Sequence, residues 1–333
     1  MHKVAVIDIG TVSVRLAIAD VEDGRILSLA KTTRICNLGE GVSATGRISA
    51  GAIARVLAFV DECISQARLA GAEGVCCTLT SAARDASNAL SLLSELGIRG
   101  LLPQVIPGDV EGTLTFIGVA ADFLGERIVV VDNGGGSTEV AVGELGGGGS
   151  GLKLDWVHSY DVGCRRVTDR YLSDDDPPSG ASLELAHGFC RLAFSDTAIK
   201  VGAAGGFLDP PTRMIVCGGT ATSCVSMVRN LLLYDSGKVH LGELSRNQIA
   251  KLERELSRIP LARRRRVVGL QDQRAPVIVG GIVCIAELMD CLHFDRITVS
   301  EHDLLYGLSR VAGGVLSGEE PLIPWTPEIT AWA

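Results

Sequence analysis

The sequence predicts an α/β protein made of two successive domains built on one plan. Three observations predict it. The chain has 333 residues, enough for two domains at roughly 100–200 residues each. Short apolar runs alternate with longer stretches of helical spacing, the pattern of a sheet covered by helices. Finally, VAVIDIGTVSVRLAIAD, from Val4, lies over IVVVDNGGGSTEVAVGE, from Ile128, at a constant offset of 124. Asp8 meets Asp132, Gly10 meets Gly134 and Ser13 meets Ser137. A spacing this long is a domain duplication, not a solenoid repeat. The expected boundaries are 1–123 and 124–315, with a tail at 316–333. The last helix, 302–313, is placed to pack back on the first domain.

The first copy opens with strands at 4–9 and 13–19 around Gly10, then a third near 26–32. Ser49 caps a long helix whose Ile53, Val56, Leu57, Val60 and Ile64 share a face. A short strand at 75–79, a helix at 82–96, a strand at 102–106 and a helix at 109–123 follow. The second copy restarts with strands at 128–132 and 138–143 around Gly134–Gly136. The glycines at 146–149, with Ser150 and Gly151, read as a linker at the far end of their strand. Helices are expected at 182–200, 221–232, 245–257 and 276–292, and strands at 214–217 and 296–299. Three prolines after Gly318 read as an extended surface strap.

Composition narrows the function classes. A chain 47% hydrophobic and 21% charged folds rather than remaining disordered. Thirty-one basic against 39 acidic residues give a net charge of −8. That charge argues against general nucleic-acid or anionic-membrane binding. The most apolar run, 277–288, is too short for the roughly 20 residues of a membrane span. The N-terminus runs straight into a strand pattern without the layout of a signal peptide. The ten scattered cysteines, none in a C-x-x-C pair, read as buried reduced thiols of a cytoplasmic protein.

The repeated hairpin carries the chemistry. A tight glycine turn lets backbone N–H groups approach an anion. The hydroxyls of Thr11, Ser13, Ser137 and Thr138 add donors for phosphate oxygens. Asp8 and Asp132 bring negative charge to the same ends. Carboxylates beside a phosphate make sense with a cation between them, and Mg²⁺ fits. One hairpin alone reads first as turn-forming Asp and Gly; two copies favour a phosphate grip. A third turn, Gly218-Gly219-Thr220, opens a helix, and a helix N-terminus binds phosphate through its N–H groups. No P-loop, no G-x-G-x-x-G after the first strand, no G-x-S-x-G and no H-E-x-x-H occur. The run Arg263–Arg266 could meet a polyanion or form a solvated helix face.

These residues resemble a known family. Asp8-Ile9-Gly10 with Ser13-x-Arg15-Leu16, Leu38-Gly39-Glu40-Gly41, Thr80-Ser81-Ala82-x-Arg84-Asp85-Ala86-x-Asn88, Asp132-x-Gly134-Gly135-Gly136-Ser137-Thr138-Glu139 and Gly218-Gly219-Thr220-Ala221-Thr222 are similar to the motifs of the exopolyphosphatase / guanosine pentaphosphate phosphohydrolase (Ppx/GppA) family. The resemblance implies duplicated actin-like domains of the actin/hexokinase/Hsp70 superfamily (ribonuclease H-like) with an interdomain cleft. It implies the short form, without the C-terminal HD-type domain of longer members. It also implies a Mg²⁺-dependent hydrolase that releases terminal phosphate from inorganic polyphosphate, or the 5′ γ-phosphate of guanosine pentaphosphate (pppGpp).

By position, Glu111 is the implied general base on the attacking water. Arg84 is implied to contact a phosphoryl oxygen. Asp132, Glu139 and Asp8 are the implied metal acids, and a homodimer is an option by analogy. Departures are Val12 for the family's Asn, Asn133 for an aliphatic residue, and Val110, Gly112 and Thr113 in the base segment. The family's R-A-D reads Arg274-Ala275-Pro276. Its D-x-G-L-R-E-G reads Glu301-His302-Asp303-Leu304-Leu305-Tyr306-Gly307. Other readings are a kinase of the same superfamily and a non-catalytic polyphosphate- or alarmone-binding protein.

Overall fold

The computed structural model describes residues 1–146, 151–200 and 211–332. They form two units. The first comprises Met1–Leu124, Leu145–Leu152 and Asp303–Ala333; the second comprises Gly125–Glu144 and Lys153–His302. The strands among the described residues are β1 (His2–Ile9), β2 (Ser13–Glu22), β3 (Arg25–Ile35), β4 (Gly74–Leu79), β5 (Pro103–Val105), β6 (Arg127–Asn133), β7 (Thr138–Leu145), β8 (Leu152–Tyr160), β9 (Arg213–Cys217), β10 (Gly242–Ser245), β11 (Arg296–Val299) and β12 (Ile329–Ala331).

In the first unit the sheet runs β3-β2-β1-β4, and β4 then pairs with both β5 and β12. β1 is antiparallel to β2 and parallel to β4; β4 is parallel to β5. In the second unit the order is β8-β7-β6-β9-β11-β10, with β6 antiparallel to β7 and parallel to β9, and β9 parallel to β11. The order β3-β2-β1-β4-β5 is thus repeated as β8-β7-β6-β9-β11. This is a duplicated α/β fold.

β1 is buried on both faces, as a near-continuous apolar run requires. Ala5, Ile7 and Ile9 meet the helix Ala50–Leu69 through Val56, Val60 and Cys63. That helix starts where Ser49 accepts the Ala52 N–H at 3.1 Å. Val4 and Val6 turn to the opposite face, with Ala17, Ala19 and Val21 of β2. There they pack with residues of the helices Gly108–Ala120 and Leu304–Ser317. These two helices touch backbone to backbone. A Cβ on Gly307 would stand 1.8 Å from the Leu114 carbonyl oxygen, and one on Gly118 would stand 2.3 Å from that of Asp303.

The second unit is built around the helix Ile278–Cys291, buried from Ile278 to Met289. It packs with β6, β7 and the helices Gly180–Phe194, Gly219–Val228 and Arg246–Ser257 in one aliphatic core. Its buried Glu287 is met by His187 Nδ1 at 2.7 Å and by Arg191 at 3.1 Å. His187 Nε2 reaches Glu253 at 2.9 Å. A histidine between two carboxylates donates from both nitrogens only as the imidazolium. Glu253 and then Glu287 push its pKa up to about 10 against the opposing effect of burial. Burial pushes the Glu287 carboxyl up, but His187 and Arg191 outweigh it and the net shift is downward. No described helix is long and apolar enough to cross a membrane.

Several sequence expectations change. The second domain was expected to reach 315, yet residues from Asp303 onward belong to the first unit, because Leu304–Ser317 fills the face left by β1 and β2. The tail strap at 316–333 includes β12, hydrogen-bonded to β4. The expected helix 82–96 is two helices, Ser81–Asp85 and Ala89–Ile98. Between them the Asn88 side chain leaves the helix path to bond both the N–H and the carbonyl of Ile48. The helix expected at 182–200 is Gly180–Phe194 followed by Thr197–Lys200. β8 and β10 were not foreseen. The glycine linker falls mostly on 147–150, outside the described residues. In the arginine run, Arg264 is buried and bonded to Asp176 at 2.8 Å, so it belongs to neither expected reading.

Two outcomes follow from this packing. Gly307→Ala should cost on the order of 1–3 kcal/mol by overpacking the Leu114 contact, read as a lower denaturation midpoint. The His187 cluster should stabilise the second unit fully below the ordinary histidine range, pKa 6.5, and lose that contribution as pH rises through about 10. Comparing melts of wild type and His187→Gln between those pH values tests this; an identical pH slope in both would contradict it.

Candidate active site

The first turn, between β1 and β2, is closed by the Gly10 N–H donating to the Ser13 carbonyl at 2.9 Å. Its carbonyls are held from one side. The Gly39 N–H donates to Thr11 O, and the Cys36 and Asn37 N–H groups to Val12 O, at 2.8–3.0 Å. Gly39 presses so close that a Cβ there would lie 2.3 Å from the Thr11 methyl. Thr11 is buried and Ser13 half-buried. After β4, the Thr80 N–H donates to Ile9 O at 3.3 Å, which sets the helix Ser81–Asp85 beside the turn. That helix carries Arg84. Arg84 Nη1 donates to the Ile106 carbonyl at 2.9 Å and to Glu111 Oε2 at 2.8 Å. Glu111, in the first turn of Gly108–Ala120, is buried.

Asp8 stands opposite Arg15 across β1 and β2. Arg15 Nε and Nη2 both donate to Asp8 Oδ2, at 2.9 and 2.7 Å. Arg15 Nη1 donates to Asp303 Oδ2 at 2.8 Å. Burial drives the Asp8 carboxyl above the usual carboxylate range. Arg15 opposes that, Asp303 adds to it, and Arg84 lowers it. Asp8 Oδ1 is buried and has no hydrogen-bond partner.

The second turn repeats the first. The Gly134 N–H donates to the Ser137 carbonyl at 3.1 Å. The carbonyls of Gly134 and Gly135 accept from the N–H groups of Cys164, Arg165 and Arg166 at 2.8–3.1 Å, and Gly136 O accepts from Arg166 Nε at 2.7 Å. Three consecutive carbonyls are therefore engaged on one side, and such a turn presents its N–H groups to the other. Gly163 makes this possible, since a Cβ there would lie 2.5 Å from Gly135 O. The Gly218 turn lies against the same strand end: a Cβ on Gly218 would meet Asn133 O at 2.7 Å and Asp132 Oδ1 at 3.1 Å. The Arg274 guanidinium covers Gly219, at the N-terminus of the helix Gly219–Val228, where a Cβ would be 1.8 Å from Nη1.

Not every expected donor faces an anion. The Thr138 hydroxyl donates to the Val162 carbonyl at 2.5 Å and accepts from Asn133 Nδ2 at 3.1 Å, inside the core. The Thr220 side chain packs on Gly281. Ser137 is buried. The sequence expectations thus gather into two groups. Gly10, Thr11, Ser13, Asp8, Arg84 and Glu111 lie in the first unit. Asp132, Gly134, Gly135, Gly136, Ser137, Thr138, Glu139, Gly218, Gly219 and Thr220 lie in the second.

The carboxylates fit a divalent metal. Asp132 and Glu139 are buried and directly opposed across β6 and β7, which brings together oxygen ligands of the hard type that Mg²⁺ takes. Glu139 Oε1 is oriented by Ser159 at 2.6 Å. Asp8 Oδ1 is a further oxygen donor of the hard type that Mg²⁺ takes.

Sequence reasoning gave no role to Gly39, Gly163, Arg274 or Asp303. The offset of 124 was a signal for the first two, because it carries Gly39 onto Gly163. It also carries Arg15 onto Glu139, so the acid–arginine pair of one hairpin becomes an acid–acid pair in the other.

Comparison with known proteins agrees with this arrangement. Residues 17–309 match the model of the Ppx/GppA phosphatase family. The chain is 32% identical over 330 residues to Exopolyphosphatase 2 of Mycobacterium tuberculosis, covering 94% of this chain and 99% of that protein. It is similar to the solved Ppx/GppA family member of Aquifex aeolicus, with 30% identity, a TM-score of 0.76, and coverage of 96% and 99% of the two chains. An exopolyphosphatase-like protein of known structure matches with a TM-score of 0.83 at 29% identity, over 93% of this chain and 97% of its own. The glycine turns and buried acids described above therefore lie in a chain that belongs to the Ppx/GppA phosphatase family.

Proposed function

We propose that the chain hydrolyses the terminal phosphoanhydride bond of inorganic polyphosphate, with Glu111 as general base. The observation that carries the proposal is the Arg84–Glu111 pair at 2.8 Å, set beside the Gly10–Ser13 turn. A general base must be fixed within reach of the water it deprotonates. Arg84 fixes Glu111 by one carboxylate oxygen while anchored itself on the Ile106 carbonyl. Its guanidinium also brings positive charge to a phosphoryl group whose oxygens gain charge during attack. The backbone N–H groups of the glycine turns supply donors for the remaining phosphate oxygens. The water oxygen forms a bond to the terminal phosphorus, its proton passes to Glu111, and the bridging oxygen leaves with the shortened chain.

Asp132 and Glu139 would hold Mg²⁺ in the second unit, and Asp8 Oδ1 is the donor in the first. Bound there, Mg²⁺ supplies charge neutralisation and polarisation of phosphoryl oxygens. The relatives named exopolyphosphatase support the substrate class. The overall charge of −8 leaves arginines and metal to attract the polyanion.

Phosphate release from long-chain polyphosphate and from pppGpp, with and without Mg²⁺, tests the reading. Faster release from pppGpp would replace the substrate; release of nothing from either would overturn the proposal. Glu111→Gln should lower kcat by about 10²–10⁴ with little change in KM; wild-type turnover in that variant would exclude Glu111 as the base. Gly163→Ala should push Gly135 and Gly136 out of place and lower kcat/KM by about tenfold or more, measured in the same assay.

A further inference from the structure

We propose that Asp303 is a positioning residue that acts on Asp8 through Arg15, keeping Asp8 Oδ1 clear of the arginine fork. The inference rests on the proposed role of Asp8 as a metal donor. An arginine facing a lone carboxylate favours the two-oxygen fork, one N–H to each oxygen. Arg15 does not adopt it: two of its nitrogens share Asp8 Oδ2, and Oδ1 is left without a hydrogen bond. The reason lies at the other edge of the guanidinium. Nη1 is drawn to Asp303 Oδ2 at 2.8 Å, a residue 288 positions away. The planar group is thereby held at both edges, shifted off the symmetric approach to Asp8.

Asp303 itself is tightly placed. Its Oδ1 accepts the Leu305 N–H at 3.0 Å and caps the helix Leu304–Ser317. Its carbonyl oxygen packs on Gly118, where no Cβ could fit. Lys31 Nζ lies 4.0 Å from Oδ2 and also over the Tyr306 ring, 5.5 Å from its centre. Removing the Asp303 charge should release the Nη1 edge. Arg15 then closes its fork on both Asp8 oxygens, and an excess positive charge remains beside them. Both effects weaken a divalent cation at Asp8.

Asp303→Asn separates this role from helix capping, because asparagine caps as well as aspartate but has one oxygen, not two, and no charge. Mg²⁺ is titrated into the full chain by calorimetry without substrate, and phosphate release is measured in parallel. Asp303→Asn should weaken Mg²⁺ binding by about fivefold or more at an unchanged melting temperature. In an Arg15→Met background the same change should alter binding by less than about twofold. Asp303→Glu, which keeps the charge, should recover most of the loss. Independent, multiplying effects of the Arg15 and Asp303 changes would overturn the inference, as would wild-type Mg²⁺ affinity in Asp303→Asn. If Asp303→Asn does not fold, wild-type affinity in Lys31→Met and a fivefold loss in Asp303→Glu would together overturn it. A wild-type chain that binds no Mg²⁺ overturns the metal reading itself; one that binds it and ignores Asp303 overturns the inference alone.

Discussion

A carboxylate at the end of a strand buried on both faces must be given a counter-charge, and this constraint organises both units. Leaving an ionised carboxylate uncompensated in such a place costs several kcal/mol. In the first unit Asp8 is compensated from within, by Arg15 across the hairpin. In the second, the equivalent position across from Asp132 is Glu139, a second acid. One duplicated hairpin therefore ends in an acid–arginine pair and the other in an acid–acid pair. The copies kept their geometry and diverged in electrostatics. The arginine that answers the acid in the first copy has no counterpart at the matching position of the second.

The glycine turns obey a related constraint. A turn that offers N–H groups to an anion must dispose of its carbonyls, whose dipoles would repel it. Both copies send those carbonyls into a following segment that approaches without a Cβ, at Gly39 and at Gly163. The donors are made available by what is bonded behind them.

Much of this was legible in the sequence. The hairpins and the strand–helix alternation follow from short apolar runs, helical spacing and turn chemistry, which are local. The offset of 124 placed Asp8, Asp132 and the turns correctly. What was not legible is long-range. The break at Asn88 depends on a bond to Ile48, and the closeness of the helices Gly108–Ala120 and Leu304–Ser317 depends on a backbone fit at Gly118 and Gly307. The buried Arg264 answers Asp176, far away in sequence. The inward Thr138 hydroxyl could not be told from an outward one, because both suit a strand that starts after a glycine turn.

The departures from the family pattern gain meaning when taken together. Val12 stands where the family has Asn. Its side chain is buried, while its carbonyl accepts two N–H groups from the 36–37 segment, so the turn is held by backbone rather than by an amide side chain. Leu305 stands where the family has Arg and is fully buried in the helix face against β1 and β2. Tyr306 stands where the family has Glu and lies under Lys31. In this chain the outer edge of Arg15 is answered by an acid from the same stretch. Asp303, at a family glycine position, supplies one from the start of the same helix. The row Asp8–Arg15–Asp303–Lys31 is balanced in charge. In such a row Arg15 is shared between two carboxylates, and neither acid takes both edges of its guanidinium.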